Sequence, residues 1–263
     1  MSSESVKMEW MDRVCILTLN RPEKRNAMDE DVTAGFRDAM ERLKNEPRAR
    51  AAVITGAGDA FSAGGNLQRM LERTGTNLAA NRKEILAFYE TYLTIMDLEI
   101  PTIAAINGPA IGAGACLCMA CDMRYAASTS RIGFTFVRIG LHPGMGAEYF
   151  LTRAVGQART YELLMTGDIL TADEAFRIGL VNKIVPPGEL MERVTELAGK
   201  IASMPALPIK MLKQTIPAAM RSDLGDILRT EATYQAMCYL GGDLKEGVAS
   251  MIEKRPPRFT DEY

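Results

Sequence analysis

An α/β fold is predicted by three features of the chain. Residues 51–55 (AAVIT) and Thr102–Ile106 (TIAAI) are short apolar runs with β-branched residues, each closed by a glycine-containing turn, as buried strands are. From Glu189 onward the pattern is helix after helix. At 263 residues the chain exceeds the usual single domain, and α/β chains of this size are commonly one core with an appendage. The core is placed at residues 1–195 and a helical region at residues 196–263.

Taken in order, Val14–Leu19 reads as a strand that Arg21-Pro22-Glu23-Lys24-Arg25-Asn26 breaks. Asp29 caps a helix with Val32, Phe36, Met40 and Leu43 along one face, ending before Pro47. The strand at 51–55 passes through the turn Gly56-Ala57-Gly58-Asp59 into Phe61-Ser62-Ala63-Gly64-Gly65-Asn66, a loop where backbone can approach a ligand closely. A short helix is expected over Leu67–Arg73, a hinge at Thr74-Gly75-Thr76, and a longer helix over residues 77–98 with Ile85, Phe88, Tyr92, Ile95 and Met96 at core spacing. Thr102–Ile106 closes at Asn107-Gly108-Pro109, and Gly112-Ala113-Gly114-Ala115 then opens an apolar helix. A strand at 123–126, the turn Ser128-Thr129-Ser130 and Ile132-Gly133-Phe134 lead to the loop 140–146, which holds the single histidine, His142, and opens a helix carrying Glu148. Thr171-Ala172-Asp173-Glu174 is a capping box, 180–185 a further strand, and 190–203, 207–219, 223–240 and 243–253 are helices.

A strand that ends in a small-residue turn and opens a helix leaves the first N–H groups of that helix unpaired, and such donors suit a developing negative charge. The turns at Gly64-Gly65 and Gly112-Ala113 are two strand ends of this kind, able to give one N–H each to a single oxygen atom. Spacing alone also fits ordinary α/β turns that need glycine. Gly108, Gly112 and Gly114 after a strand raise a dinucleotide oxidoreductase as another class. That reading fails because the spacing is not G-x-G-x-x-G and no acidic residue ends a second strand about 20 positions on.

Composition narrows the partners. A formal net charge of -2 gives no basic field for nucleic acid, and 47% hydrophobic with 24% charged residues is globular. No run of 18 apolar residues offers a membrane span, and MSSESVKMEW lacks signal-peptide regions, so a cytoplasmic protein is expected. The five cysteines, Cys15, Cys116, Cys118, Cys121 and Cys238, make no disulfide framework. Cys116, Cys118 and Cys121 resemble part of a thiolate site, but three sulfurs in an apolar helix with one histidine in the whole chain lack the partners of a closed tetrahedral site. They read as buried structural cysteines, and no metal is expected.

FSAGGNLQRM, then PTIAAINGPAIGAGACLCMACDMRYA, then GLHPGMGAEYFLTRAVG, in this order and spacing, are similar to the enoyl-CoA hydratase/isomerase (crotonase) superfamily. The likeness runs from RPEKRNAM near residue 21, through TGDILTADEAFRIGLVNKIVP, to the EKRPPRF tail. It implies a spiral of ββα turns that binds an acyl-CoA thioester and holds the carbonyl oxygen in a two-amide oxyanion hole, here Gly65 and Ala113. It also implies that Lys24 and Arg25 meet the phosphates of CoA, that Ala27 lines the adenine pocket, and that Ala63, Gly64, Asn66 and Leu67 belong to the CoA-binding residues. Lys254 or Arg255 in the tail then reaches CoA, and the helical region packs into a trimer or a dimer of trimers. CoA is part of the substrate, so no separate cofactor is implied.

The chain departs from that pattern where the proton chemistry belongs. The two glutamates of the hydratases fall on Cys116 and Phe136, the carboxylate of the isomerases falls on Gly144, and Asn66 replaces a common aspartate. A replacement acid or base is sought first at His142, whose unperturbed pKa of about 6.5 suits proton transfer at neutral pH. Glu148 and Cys116 follow, Cys116 with a reference pKa of about 8.5 that an apolar setting would raise. The expected function is isomerisation, hydration or related lyase chemistry through a thioester enolate with a non-standard base. The alternative is an acyl-CoA-binding protein of the same fold without turnover.

Overall fold

A computed structural model describes residues 4–261. Strand β1 (Val6–Met11) alternates buried and exposed residues, as an antiparallel edge strand does, and pairs with β2 (Val14–Leu19). Helix α1 (Glu30–Lys44) begins at Asp29, whose carboxylate accepts the Val32 N–H at 3.0 Å, and lays Val32, Phe36, Met40 and Leu43 on the sheet. Burying Phe36 alone stabilises the fold by about 1.5–3 kcal/mol. Then follow β3 (Ala51–Gly56), α2 (Leu67–Arg73), α3 (Leu78–Leu93), β4 (Thr102–Ile106), β5 (Ala110–Ile111) and α4 (Ala113–Ala120). The chain continues through β6 (Met123–Ala127), β7 (Arg131–Gly133), α5 (Ala147–Val155), α6 (Gln157–Thr166), β8 (Ile169–Thr171), α7 (Ala172–Arg177) and β9 (Lys183–Val185). Four helices close it: α8 (Leu190–Ala202), α9 (Ala206–Ala219), α10 (Leu224–Leu240) and α11 (Gly242–Glu253).

A six-stranded sheet in the order β1-β2-β3-β4-β6-β9 carries the core, parallel throughout except for β1 with β2. Every residue of β3 and β4 is buried because both faces are covered. Alternate residues divide accordingly: Ala52, Ile54, Ala104 and Ile106 join α1 and α4 on one face, while Val53, Ile103 and Ala105 join α8 on the other. Strands β5, β7 and β8 form a second, three-stranded sheet.

The α/β expectation holds, with local corrections. The long helix stops at Leu93 and tightens into a 3-10 turn over Thr94–Asp97, which turns Met96 outward while Tyr92 and Ile95 stay buried. The strand expected at 180–185 is only Lys183–Val185, since the Leu180 N–H bonds back to Ala175 at 2.8 Å and its side chain enters the core. The division after residue 195 falls inside α8, whose Leu190, Val194, Ala198 and Ala202 all pack on the sheet, so the helices that leave it begin with α9. Helix α10 buries none of its residues and exposes Leu228, Met237, Tyr239 and Leu240. The tail returns along α11, where Asp243 accepts the Thr260 N–H at 2.9 Å and Glu246 accepts the Arg258 N–H at 2.6 Å.

Candidate active site

Adjacent parallel strands β3 and β4 end at the same edge of the sheet, so the turns that follow them lie side by side. Asn107 joins them: its carboxamide accepts the Gly56 N–H at 3.2 Å and donates to the carbonyls of Gly56 and Gly58 at 2.9 and 3.0 Å. Asn26, wholly buried at a φ of +53°, brings in the segment before α1. Its Oδ1 accepts the Arg21 N–H, and its Nδ2 donates to the carbonyls of Ala57 and Ala60 at 2.9 and 2.8 Å. A buried polar group left without its partner costs about 1–3 kcal/mol, so three bonds from one side chain make Asn26 a strong clamp on this loop.

The clamp ends at Gly64. The Ser62 hydroxyl donates to the Asn26 carbonyl and accepts the Gly64 N–H at 3.1 Å, and the Gly64 carbonyl accepts the Met28 N–H at 2.8 Å. Gly64 sits at a φ of +85°, where a Cβ would overlap the Ile111 carbonyl oxygen and lie 3.2 Å from the Ala113 nitrogen. Only glycine lets the two turns touch. The next N–H, of Gly65, has no acceptor among the described residues. Neither has that of Ala113, the first residue of α4, which follows Gly112 at φ +54° and ψ −118°. Two unpaired amides thus stand on two loops in direct contact.

The candidates for proton transfer differ sharply in exposure. His142 is 86% exposed, its Nδ1 is 2.7 Å from the Pro143 carbonyl and its Nε2 is 3.7 Å from Glu148. Glu148 lies in the first turn of α5 and is half-exposed. Cys116 is fully buried, its Sγ donates to the Gly144 carbonyl at 3.5 Å, and burial pushes its thiol far above the usual range. That setting disfavours the thiolate a base would need. Phe136 is buried in the 3-10 turn Thr135–Ile139. Cys118 and Cys121 are buried as well, and the described residues contain no group of three side chains arranged to hold a metal.

Of the residues expected around CoA, two segments are brought together. The Ala63 N–H donates to the Arg25 carbonyl at 2.8 Å, and Met28 pairs with Gly65, so Lys24, Arg25 and Ala27 run beside Ala63, Gly64, Asn66 and Leu67. Lys24 is ion-paired with Asp29 at 3.0 Å, and Arg25 is exposed at a φ of +49°. Asn66 is the N-cap of α2, accepting the Gln68 and Arg69 N–H groups at 2.9 and 3.2 Å. Lys254 is the C-cap of α11, and no hydrogen bond or ion pair among the described residues joins it to those segments. Its neighbour Arg255 is engaged by Glu246 and Glu253, both at 2.6 Å.

Comparison with known proteins decides the family. The enoyl-CoA hydratase/isomerase family model matches residues 9–262. The chain belongs to this family. Relatives include a crotonyl-CoA hydratase of Syntrophomonas wolfei, 36% identical over 98% of this chain and 99% of that protein. A short-chain-enoyl-CoA hydratase of Clostridium acetobutylicum is 36% identical over 97% of each chain. The crystal structure of an enoyl-CoA hydratase from Bacillus anthracis superimposes with a TM-score of 0.92 at 32% identity, covering 98% of this chain and 100% of that one. The fold is therefore that of the crotonases, and the chain is an acyl-CoA-binding enzyme of that family.

Sequence reasoning missed the residues that hold these two turns in place. Asn26, Ser62 and Asn107 act by satisfying backbone groups 20 or more residues away in most cases, which leaves no periodic signal. An Asn within a Gly- or Pro-containing turn, as at Asn26 and Asn107, is the one cue the sequence offered.

Proposed function

We propose that this enzyme binds an acyl-CoA thioester with its carbonyl oxygen between the N–H groups of Gly65 and Ala113, and stabilises the enolate formed when the neighbouring carbon loses or gains a proton. The observation that carries this reading is the pair of amides without acceptors, held in register by Gly64 against the Ala113 nitrogen. Charge developing on one oxygen is what two fixed dipoles stabilise best. Lys24, Arg25 and Ala27, beside the Ala63–Leu67 loop, form the nucleotide end of the site, Lys254 is a further CoA contact, and the substrate carries the only cofactor-like group.

Positions 116, 136 and 144 hold no carboxylate, so the reaction is isomerisation, hydration or related lyase chemistry with a non-standard base rather than two-glutamate hydration. The same observation favours the second reading, a binder without turnover. Acyl-CoA thioesters are expected to raise the melting temperature while NAD leaves it unchanged. A flat response to every CoA ester in a thermal-shift series removes both readings. Exchange of the α-proton in heavy water separates them, since only an active enzyme catalyses it.

The reading includes assembly. The exposed apolar residues of α10 and α11, among them Leu228, Leu240, Met251 and Ile252, support packing of residues 196–263 against other copies in a trimer or a dimer of trimers. Sedimentation should give the mass of three or six chains, and Leu228→Asp with Leu240→Asp should shift it toward one; a monomeric wild type at micromolar concentration rejects the assembly. Five unpaired cysteines, four of them buried, support a reducing compartment, the cytoplasm.

A further inference from the structure

The proposed acyl site lacks a carboxylate at 116, 136 and 144, and a polar side chain from another element packs directly against residue 144. Tyr89, on α3, is half-buried and its hydroxyl packs on Gly144 so closely that a Cβ there would overlap it. The space in which any side chain at 144 would begin is therefore filled by a phenol. Gly144 in turn accepts the Cys116 thiol at 3.5 Å, and Cys116 lies about one helical turn along α4 from Ala113. Ala113, Cys116, Gly144 and the Tyr89 hydroxyl thus form one contiguous line from the amide pair.

We propose that Tyr89 is the catalytic acid–base group of this enzyme, its hydroxyl exchanging a proton with the carbon next to the thioester carbonyl. This rests on the acyl-CoA reading of the Gly65 and Ala113 amides. In the forward step the O–H bond of Tyr89 breaks as a C–H bond forms at that carbon. The electron pair comes from the enolate, whose charge leaves the bound oxygen, and the tyrosine becomes a phenolate that takes a proton from water. The reverse step returns the enolate and the phenol.

The surroundings suit both halves. Burial raises the Tyr89 pKa above its usual value, and the Glu148 carboxylate adds to that rise, so the phenol keeps its proton at neutral pH and donates it. The Met145 backbone and the Arg73 guanidinium act in the opposite sense and steady the transient phenolate. Arg73 has capacity for this: its Nη2 meets Glu84 at 3.2 Å, while its Nε is buried with no partner among the described residues. Gly144, Cys116 and Tyr89 come from three separate elements, and their meeting has no linear signature.

Exchange of the α-protons of butyryl-CoA in heavy water, followed by NMR, tests the assignment on the full chain. Tyr89→Phe removes one oxygen atom and is expected to slow exchange at least about 100-fold, the usual range for losing a general acid or base, with thermal protection by butyryl-CoA retained. Gly144→Ala keeps the phenol but displaces it, and is expected to slow exchange as well, which covers the case of a poorly folded Tyr89→Phe. Exchange in Tyr89→Phe within about threefold of wild type overturns the assignment and leaves the acyl-CoA reading standing. Protection of the wild type without exchange, or parallel loss of protection and exchange in Tyr89→Phe, also overturns it. Absence of protection by any acyl-CoA overturns the acyl-CoA reading itself.

Discussion

Gly64→Ala is expected to lose both stability and ligand binding. At a φ of +85° an alanine carries left-handed backbone strain of about 1–2 kcal/mol, and here its methyl meets backbone rather than a flexible side chain. The Ile111 carbonyl oxygen stands inside contact distance, and the Ala113 nitrogen is 3.2 Å away. Neither moves alone, because the Ile111 N–H is bound to the Ser62 carbonyl at 3.0 Å and the Gly112 N–H to the Gly133 carbonyl at 2.8 Å. Parting the two turns breaks that Ile111 to Ser62 bond, which joins them. A total of roughly 3 kcal/mol or more follows when a lost buried hydrogen bond is added to the strain. For a chain of this size that is a fall in melting temperature of roughly 6–12 °C. The same movement separates the Gly65 and Ala113 amides, so protection by acyl-CoA should vanish with it. Calorimetry with and without butyryl-CoA measures both; a variant that melts within about 2 °C of wild type and is fully protected contradicts the contact between the turns.

How legible this was depends on where each interaction reaches. The core strands β3 and β4 are continuous apolar runs, and the α1 stripe of Val32, Phe36, Met40 and Leu43 has helical period, so local pattern and tertiary burial agree. The strand β8 has three residues and exists through its pairing with β7, while α6 buries only Thr160, Leu163 and Leu164, too few to make a stripe. Strand β1 alternates as an edge strand should, but its buried positions become a face only once β2 lies beside it. In the site, the two glycine turns were visible because an unusual backbone needs an unusual residue. The clamps Asn26, Ser62 and Asn107 were not, since each bonds to main chain, which every residue possesses. Histidine chemistry pointed to His142, but its loop turns the ring into solvent. Tyr89 falls one position beyond Phe88 in the helical register and so drops out of the core stripe for the same geometric reason that carries it to Gly144.

Ala113→Pro isolates the contribution of one amide. Residue 113 is the first of α4, where proline is tolerated because that N–H has no helical partner and the ring fixes φ near the helical value. The residue before a proline is normally driven to extended backbone. Gly112, at φ +54° and ψ −118°, is the mirror image of that conformation, which glycine alone adopts freely, so the substitution meets no Cβ there. The Gly112 carbonyl keeps its bond from the Cys116 N–H at 3.1 Å, and the helix starts as before. What disappears is one donor. Removing a single oxyanion donor typically costs about 10²–10³ in rate, about 2.7–4 kcal/mol, because the lost interaction is strongest where the charge is greatest. Turnover and α-proton exchange should therefore fall by that factor. The melting temperature should stay within a few degrees, and free CoA should protect the variant as it does the wild type, since the nucleotide end is untouched. An equal loss of CoA protection would mean that the loop moved, and exchange at the wild-type rate would place the thioester oxygen somewhere other than beside residue 113.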